Sequence, residues 1–282
     1  MGTLHTKQAL LRDERLEGDR NNQCVRILWT GGWDSTFRVL YATWVEGKRV
    51  EPHYIVDTTR SSSSRELEAI AEIKDVLKVH NEAAYERISS LEVTPKSEIP
   101  EDLEITKSWT QLKKRMHLGG QYDWLARYAK SKKMTALELC VQRDDRTDGI
   151  YAFLKKNTEQ TPFGTYRLRQ EVSGDGVIFA RFEFPVLDYS KNEMRDIAKE
   201  HGFIEILEKS WFCHEPINGM PCGMCNPCAC TVEEGMDYRL SRDAIFRYRT
   251  RRYLKVVRQS LVDSRAFRWV YDLLRYGSKR KV

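Results

Sequence analysis

The chain has 282 residues, 41% of them hydrophobic, and a formal net charge of +6. This length suits one α/β domain with an appendage or two small domains, and the hydrophobic fraction is enough to bury a core. No run of about 18 uncharged apolar residues occurs, and Met1 to Leu10 lack the charged-then-apolar order of a signal peptide. The composition therefore excludes a membrane protein and predicts a soluble, cytoplasmic one.

Strand and helix patterns begin to alternate at Val25, after a polar lead segment at residues 1–23. Apolar runs predict strands at 25–29, 50–56 and 87–93, separated by helices at 34–45 and 65–80. A βαβαβ succession of this kind forms a parallel sheet. Ligands of such sheets gather beyond the carboxyl ends of the strands, which predicts a nucleotide beside Asp57. A helix cap or a turn is the other interpretation of this residue.

A phosphate-binding loop is predicted where the first strand passes into the first helix. The loop reads Thr30-Gly31-Gly32-Trp33-Asp34-Ser35-Thr36. Backbone N–H groups at a helix start lack partners and carry the positive end of the helix dipole. The glycines allow positive φ and close approach of a ligand, the hydroxyls add donors, and Asp34 can cap the helix or hold a metal ion on phosphate oxygens. A plain glycine turn with a cap is the alternative.

The middle of the chain gives weaker patterns. Residues 94–118 are predicted to be irregular, residues 121–128 to form an amphipathic helix, and residues 135–141 to form a strand. The Gly-Asp-Gly sequence at 174–176 predicts a hairpin between strands at 165–172 and 177–184.

A helix that begins after Ser190 is predicted by a capping box with Glu193, and Gly202 ends it. Lys191 lies in its first turn, an unfavourable place for a cation unless an anion is near. An exposed surface lysine is the alternative.

A four-cysteine cluster has the spacing of a metal site, C-x8-C-x2-C-x2-C. Its members are Cys213, Cys222, Cys225 and Cys228. Zinc fits four thiolates in one short loop. A ferredoxin run would need a further cysteine where Val232 stands, and seven cysteines, an odd number, argue against a disulfide framework. His214 and Cys230 are substitute ligands, although both crowd an existing one.

The C-terminal region is strongly basic. From Arg239 onward, fourteen Lys/Arg stand against three acids, with aromatic residues between them. This pattern predicts helices with one buried face and one cationic face. Nucleic acid or another polyanion is a candidate partner. Packing on the body of the protein or on a sister subunit, as in a homodimer, is the alternative.

The loop from Thr30 to Thr36 resembles the Ser-Gly-Gly-x-Asp-Ser signature of the PP-loop ATP pyrophosphatases, with Thr in place of the first Ser. Together with the cysteine cluster and the segment from Phe184 to Gly202, it resembles the 7-cyano-7-deazaguanine synthase (QueC) branch. The resemblance implies an open parallel twisted sheet with helices on both faces, ATP with magnesium as substrate on the loop, and Lys191 facing ATP phosphate or an acidic substrate. It implies a nucleotide-binding domain at 24–210, a zinc loop at 211–236 and a basic helical extension at 237–282.

The resemblance is incomplete where the substrate would be recognised. Asp144 and Asp145 remain at the end of a predicted strand, but the family's Ser-Gly-Tyr-Pro-Asp-Cys-Arg string is missing, and so is its Arg after the last metal cysteine. Both departures concern the substrate rather than ATP or zinc. They predict a relative that keeps the activation chemistry with a changed substrate.

Two functions remain open on the sequence. The first is a ligase that adenylates a carboxylate of a deazapurine or related molecule and releases pyrophosphate. Ammonia or another nucleophile then gives an amide or nitrile, or the group passes to a nucleic-acid or protein acceptor. The second is a non-catalytic descendant that binds nucleotide or nucleic acid within an assembly. The intact Gly31, Gly32, Asp34 and Ser35 favour the enzyme.

Overall fold

The structure, a computed structural model, describes residues 24–144 and 149–263, with side chains described up to residue 257. Within these residues it has strands β1 (Cys24–Leu28), β2 (Arg49–Val56), β3 (Glu92–Pro95), β4 (Leu137–Glu138), β5 (Thr158–Gln160), β6 (Tyr166–Leu168) and β7 (Phe182–Phe184). They form one sheet in the order β3-β2-β1-β4-β7-β6-β5. The first five strands in this order are parallel, and β6 and β5 continue the sheet antiparallel. The predicted α/β fold class is confirmed.

Helices connect and cover these strands. In the described residues they are α1 (Trp33–Leu40), α2 (Ser63–His80), α3 (Glu82–Glu86), α4 (Leu103–Arg115), α5 (Gln121–Ser131), α6 (Ile150–Asn157), α7 (Lys191–Glu200), α8 (Ile204–Leu207), α9 (Asn226–Glu233) and α10 (Arg242–Asp263). None of them is long and apolar enough to cross a membrane.

The sheet is buried on both faces, as a parallel sheet requires. On one face, Leu28 and Leu137 of the strands pack in one cluster with Leu112 of α4 and Leu125 of α5. On the other face, α1 contacts α7 and α8, and the rings of Phe37 and Phe203 lie 6.0 Å apart. The carboxyl ends of the five parallel strands therefore share one edge between two helical layers.

The chain divides into two compact units, Met1–Phe212 and Cys213–Val282. The first contains the sheet and the loop after β1. The second contains the cysteine cluster, α9 and α10.

Two of the predicted elements are wrong between residues 81 and 118. A strand at 87–93 was expected, but Ile88 makes only an isolated parallel bridge to Val50, and the strand itself, β3, runs from Glu92 to Pro95. Helix α3, which Asn81 caps by accepting from Ala84 N (3.0 Å), was not expected before it. The segment 94–118 is not irregular, because Asp102 caps α4 by accepting from Ile105 N at 3.1 Å.

The predicted hairpin at 165–184 is correct in its pairing and wrong in its connection. Strands β6 and β7 are antiparallel, but residues 174–179 form a 3-10 helix, since Ile178 and Phe179 are buried in the core. The strand expected at 135–141 is reduced to β4, and the helix expected at 34–45 ends at Leu40 and continues as a π-helical turn, Tyr41–Val45. The elements α6 and β5 had not been predicted.

Candidate active site and metal centre

The loop after β1 is held in a conformation that only glycine adopts easily. Gly31 has φ +68°, and a Cβ built on it would lie 2.9 Å from the carbonyl oxygen of Glu66 and 3.2 Å from Ile70 Cγ1. Both contacts come from α2, so the loop lies directly against that helix. The Gly31 carbonyl accepts a hydrogen bond from Trp211 N at 2.8 Å. The path of the loop is thus fixed by two distant segments of the first unit.

The hydroxyls of the loop bond to its own backbone. Ser35 Oγ accepts from Thr30 N at 3.3 Å, and Thr30 Oγ1 accepts from Gly32 N at 3.4 Å. Thr30 is exposed and Ser35 is buried. Gly32 occupies the N-cap position of α1, where it supplies no side-chain acceptor. A helix start of this kind attracts an anion through its dipole.

Two members of the predicted site face the interior of the protein instead. Trp33 is only 4% exposed and Thr36 is fully buried. The Thr36 hydroxyl accepts a hydrogen bond from Trp29 Nε1 at 3.0 Å. This hydrogen bond holds the end of β1 against the start of α1, so Thr36 stabilises the fold at this point.

The charge of Asp34 acts on Tyr122 of α5 and on Cys140, which follows β4. Burial, followed by the nearby Asp34 charge, raises the pKa of Tyr122 to about 12. Burial also raises the pKa of Cys140, with further contributions from the charges of Glu138 and Asp34. The Asp34 carboxylate is therefore electrostatically coupled to groups at the carboxyl end of β4. Sequence reasoning had identified neither Tyr122 nor Cys140 as a neighbour of the loop.

A buried ion pair joins α1 to β4 below the loop. Arg38 donates to Glu138 through Nε (2.7 Å) and Nη2 (2.8 Å), and to Glu46 through Nη1 at 2.8 Å. Burial opposes the charge on Arg38, but the two carboxylates outweigh it and raise the pKa of the guanidinium. The bidentate geometry fixes the helix that carries Asp34 relative to the strand that carries Glu138.

Asp57 lies at the carboxyl end of β2, and protein donors occupy both of its oxygens. Oδ1 accepts from Thr59 Oγ1 at 2.6 Å and from Thr59 N at 3.2 Å, while Oδ2 accepts from Lys96 Nζ at 2.7 Å. The hydrogen bond from Lys96, followed by that from Thr59, lowers the pKa of Asp57 to about 2. The bonds to Thr59, two residues later in the chain, are those of a turn residue, which was the alternative interpretation of Asp57. The cation next to it is Lys96, which sequence reasoning missed.

A second polar group lies beyond β4 and β7. Arg143 N donates to the carbonyl of Tyr189 at 2.9 Å, and the Arg143 side chain bonds to Glu193 (2.5 Å) and to the carbonyl of Asp188 (3.0 Å). These contacts bring the segment that carries Asp144 beside the start of α7, which carries Lys191. Asp145 lies outside the described residues.

The capping box predicted for α7 is present. Ser190 Oγ accepts from Glu193 N at 3.3 Å, and the Glu193 carboxylate accepts from Ser190 N at 2.7 Å. The hydrogen bond from Ser190 N, followed by that from Arg143, lowers the pKa of Glu193 to about 2. Arg143 had not been predicted, although it adjoins the acidic pair at 144 and 145.

The four predicted cysteine ligands come together in the second unit. All four are buried, and their Sγ atoms lie within 4.8 Å of one another. Sγ of Cys222 lies 3.9 Å from Sγ of Cys228, and Sγ of Cys225 lies 3.8 Å from that of Cys213. Sulfurs at about 2.3 Å from a tetrahedral zinc ion are about 3.8 Å apart, so these residues fit a thiolate-bound metal.

Backbone N–H groups surround the same sulfurs. Cys222 Sγ accepts from Met224 N and Cys225 N, both at 3.2 Å, and Cys213 Sγ accepts from Cys222 N at 3.2 Å. Burial raises the pKa of Cys213 to about 11, whereas hydrogen bonding from Cys228 lowers the pKa of Cys225 to about 4. Four buried sulfurs that accept backbone N–H groups suit a cation, which stabilises thiolates in an apolar setting.

Helix α10 packs directly on the cysteine loop. Gly223 has φ +74°, and a Cβ on it would overlap the backbone of Ala244 in α10. Arg247 Nε donates to the carbonyl of Cys222 at 2.8 Å, and Arg251 donates to that of Met224. These two arginines thus bind α10 to the backbone of the cysteine loop.

Comparison with known proteins gives one family match. A family model described as "Queuosine biosynthesis protein QueC" matches residues 24–234. Four chains of solved structures match, one of them titled "Crystal structure of a 4-thiouridine synthetase - RNA complex with bound ATP". It shares 13% identity at a TM-score of 0.36, and the likeness covers 77% of this chain and 50% of that one. The present chain therefore spans about half the length of that protein. No curated protein matches.

Proposed function

The chain belongs to the QueC family, and we propose that it is an ATP-using enzyme of the PP-loop type that adenylates a carboxylate with release of pyrophosphate. The loop after β1 carries this proposal. Gly31 has no space for a side chain beside α2, and Gly32 is the N-cap of α1, so the positive end of that helix dipole lies at the loop. Closely approaching backbone and a helix start suit a polyphosphate.

The proposed reaction begins when a carboxylate oxygen of the substrate attacks the α-phosphorus of ATP. The bond from the α-phosphorus to the oxygen that bridges it to the β-phosphorus breaks, and pyrophosphate leaves with magnesium. Ammonia then attacks the carbonyl carbon of the acyl adenylate, and AMP leaves with loss of a proton, which gives an amide. A second adenylation, now of the amide oxygen, gives a nitrile after loss of AMP and two protons.

Each loop residue has a proposed task in the first step. Backbone amides at the start of α1, with the hydroxyls of Thr30 and Ser35, hold the β,γ-pyrophosphate. Asp34 holds the magnesium ion that the phosphates bring. Lys191, whose charge is disfavoured at the start of α7, balances the charge of the α-phosphate or of the substrate carboxylate.

A deazapurine or related carboxylate is the proposed substrate class. Family membership supports this substrate class, and the polar groups beyond β4 and β7 lie past the carboxyl ends of parallel strands, where ligands of such sheets bind. Arg143 is 41% exposed at this position while it bonds to Glu193. We propose that this segment, with Asp144, takes the place of the recognition string that the family carries here.

We propose zinc as the ion of the four-cysteine cluster. The sulfur separations of 3.8 and 3.9 Å and the complete burial of three of the four cysteines support it. The ion would cross-link the loop and stabilise the fold of the second unit, as structural zinc does in small domains.

The test is the incubation of the protein with ATP, magnesium and 7-carboxy-7-deazaguanine, with and without ammonia. We expect AMP and pyrophosphate in a substrate-dependent reaction, and an amide or nitrile product by mass spectrometry when ammonia is present. ADP and phosphate would contradict cleavage between the α- and β-phosphates. Binding of ATP without turnover on any of a panel of deazapurine carboxylates would favour the non-catalytic alternative.

A further inference from the structure

Helix α10 has an inner face that packs on the cysteine loop. Ala244 is fully buried and Tyr248 is 8% exposed. Arg247 and Arg251 bond to carbonyls of the loop, and Tyr248 donates to Glu233 of α9 at 3.3 Å. The spacing of these residues, i, i+3, i+4 and i+7, places them on one side of the helix.

The opposite side of α10 carries a continuous exposed stripe. Its members are Arg242, Phe246, Arg249, Tyr253 and Val256, which we name the outer stripe. At about 100° per residue, the outer stripe spans about 80° of arc and lies roughly opposite the inner face. Phe246 is 70% exposed and Tyr253 is 69% exposed. Two large aromatic rings therefore face outward from a helix whose other side is already occupied.

The chemistry of the outer stripe alternates between cation and ring. Arg242, Phe246, Arg249 and Tyr253 follow one another about one helical turn apart. Exposed aromatic rings beside cations bind single-stranded nucleic acid, because bases stack on the rings and phosphates pair with the cations. The only acid among residues 242–257, Asp243, does not balance six cations there.

A second copy of the same helix fits the outer stripe less well. Parallel pairing of two such stripes would place Arg242 and Arg249 of one copy against those of the other, and antiparallel pairing centred on the stripe would place the two Arg249 residues against each other. Like charges that face each other at a helix seam destabilise the pairing. The outer stripe therefore favours a polyanion over another copy of itself.

We propose that the outer stripe of α10 binds single-stranded nucleic acid, with Phe246 and Tyr253 as stacking platforms and Arg242 and Arg249 as phosphate contacts. Nucleic-acid binding at the outer stripe does not depend on the reaction proposed for the loop after β1 or on the identity of its substrate. The cysteine loop supports it by holding the inner face of the same helix.

The experiment measures anisotropy of a fluorescein-labelled oligouridylate of about 16 nucleotides with the full chain, at salt concentrations from about 50 to 200 mM. Two double variants are compared with wild type, Arg242→Glu with Arg249→Glu and Phe246→Ala with Tyr253→Ala. Lys114→Glu, an exposed charge change on α4, is the control. All substituted side chains are exposed, so we expect unchanged melting temperatures.

The two double variants have different expected results. Single strands show a slope of log K against log salt of about −0.7 per phosphate contact, so the charge variant should make the slope less steep by at least about 1.4. The aromatic variant should weaken binding by about 5- to 150-fold per lost stack and leave the slope unchanged. Ser35→Ala should bind like wild type, which separates this test from that of the proposed reaction.

Three outcomes would overturn the proposal. Wild-type protein could show no salt-dependent affinity for the oligonucleotide, or both double variants could bind as tightly as Lys114→Glu. Alternatively, the aromatic variant could turn a dimer into a monomer by mass in solution, which would assign the outer stripe to an interface between copies.

Discussion

Replacement of Gly31 by alanine tests whether the loop after β1 keeps its conformation only because residue 31 has no side chain. The new Cβ would lie 2.9 Å from the carbonyl oxygen of Glu66 and 3.2 Å from Ile70 Cγ1, at φ +68°. The positive φ costs about 1–2 kcal/mol, and overpacking against α2 costs about 1–3 kcal/mol more. We expect the free energy of unfolding to fall by about 2–5 kcal/mol in total. Each kcal/mol lowers the melting temperature of a unit of this size by about 2–4 °C.

A matched control separates the two causes. Gly164 has φ +82°, and nothing lies within 4 Å of a Cβ built on it, so Gly164→Ala should show only the conformational cost. Melting is measured by calorimetry, and AMP release is measured well below the melting temperature of each variant. We expect Gly31→Ala to lose most of its AMP release and Gly164→Ala to keep it. Equal melting temperatures and full activity in both variants would refute the reasoning about the loop.

Three further predictions concern single side chains. Ser35→Ala should lower pyrophosphate release at least tenfold, because a phosphate ligand is lost, with about 1 kcal/mol of stability lost for its hydrogen bond to Thr30; wild-type turnover would remove Ser35 from the mechanism. Cys222→Ser should lose the metal and unfold the second unit at a lower temperature, whereas Cys230→Ser should keep one zinc per chain by metal analysis; iron, or no metal, in wild type would contradict zinc. The pKa of Asp57 is lowered to about 2 in the folded protein. The Asp57 carboxylate therefore contributes its full share to the free energy of unfolding above the pKa that it has in the unfolded chain, and this share is lost as pH falls toward 2. Asp57→Asn should therefore remove about 1–3 kcal/mol of stability at pH 7 and weaken the pH dependence between about 4 and 2 in denaturant titrations; an unchanged pH profile would show that the pair with Lys96 is not stabilising.

Local sequence patterns predicted the parts of the site that local chemistry determines. The loop at 30–36, the capping box of Ser190 and Glu193 and the spacing of the cysteines are each set within a few residues. The positive φ of Gly31 was expected from the sequence, but the helices that leave no room for a side chain at Gly31 and Gly223 were not. The shortness of β4 and the 3-10 helix at 174–179 were not predicted, because burial against distant helices decides them.

Most features of the site that could not be predicted are contacts between residues far apart in the chain. Nothing near Asp57 in the chain indicates that Lys96, which follows a different strand, bonds to it at 2.7 Å. Similarly, Arg38 and Glu138 are separated by a hundred residues and meet only because β1 and β4 are neighbours in the sheet. Helix α4 was missed for a different reason. Its apolar residues, Ile105, Trp109 and Leu112, have helical spacing, but they are few and all the residues between them are polar.

The basic C-terminal region shows how a count of charges and a structure lead to different residues. Arg247, Arg249, Arg251 and Arg252 form one dense basic run, and the sequence treats them alike. In the structure, Arg247 and Arg251 donate to carbonyls of the cysteine loop, and Arg252 donates to the hydroxyl of Tyr248 at 2.8 Å. A guanidinium that bonds to a backbone carbonyl on the inner face is poorly placed to pair with a phosphate on the outer face. Charge density in this region therefore overstates the phosphate contacts, and the slope measured with salt should be smaller than the number of arginines implies.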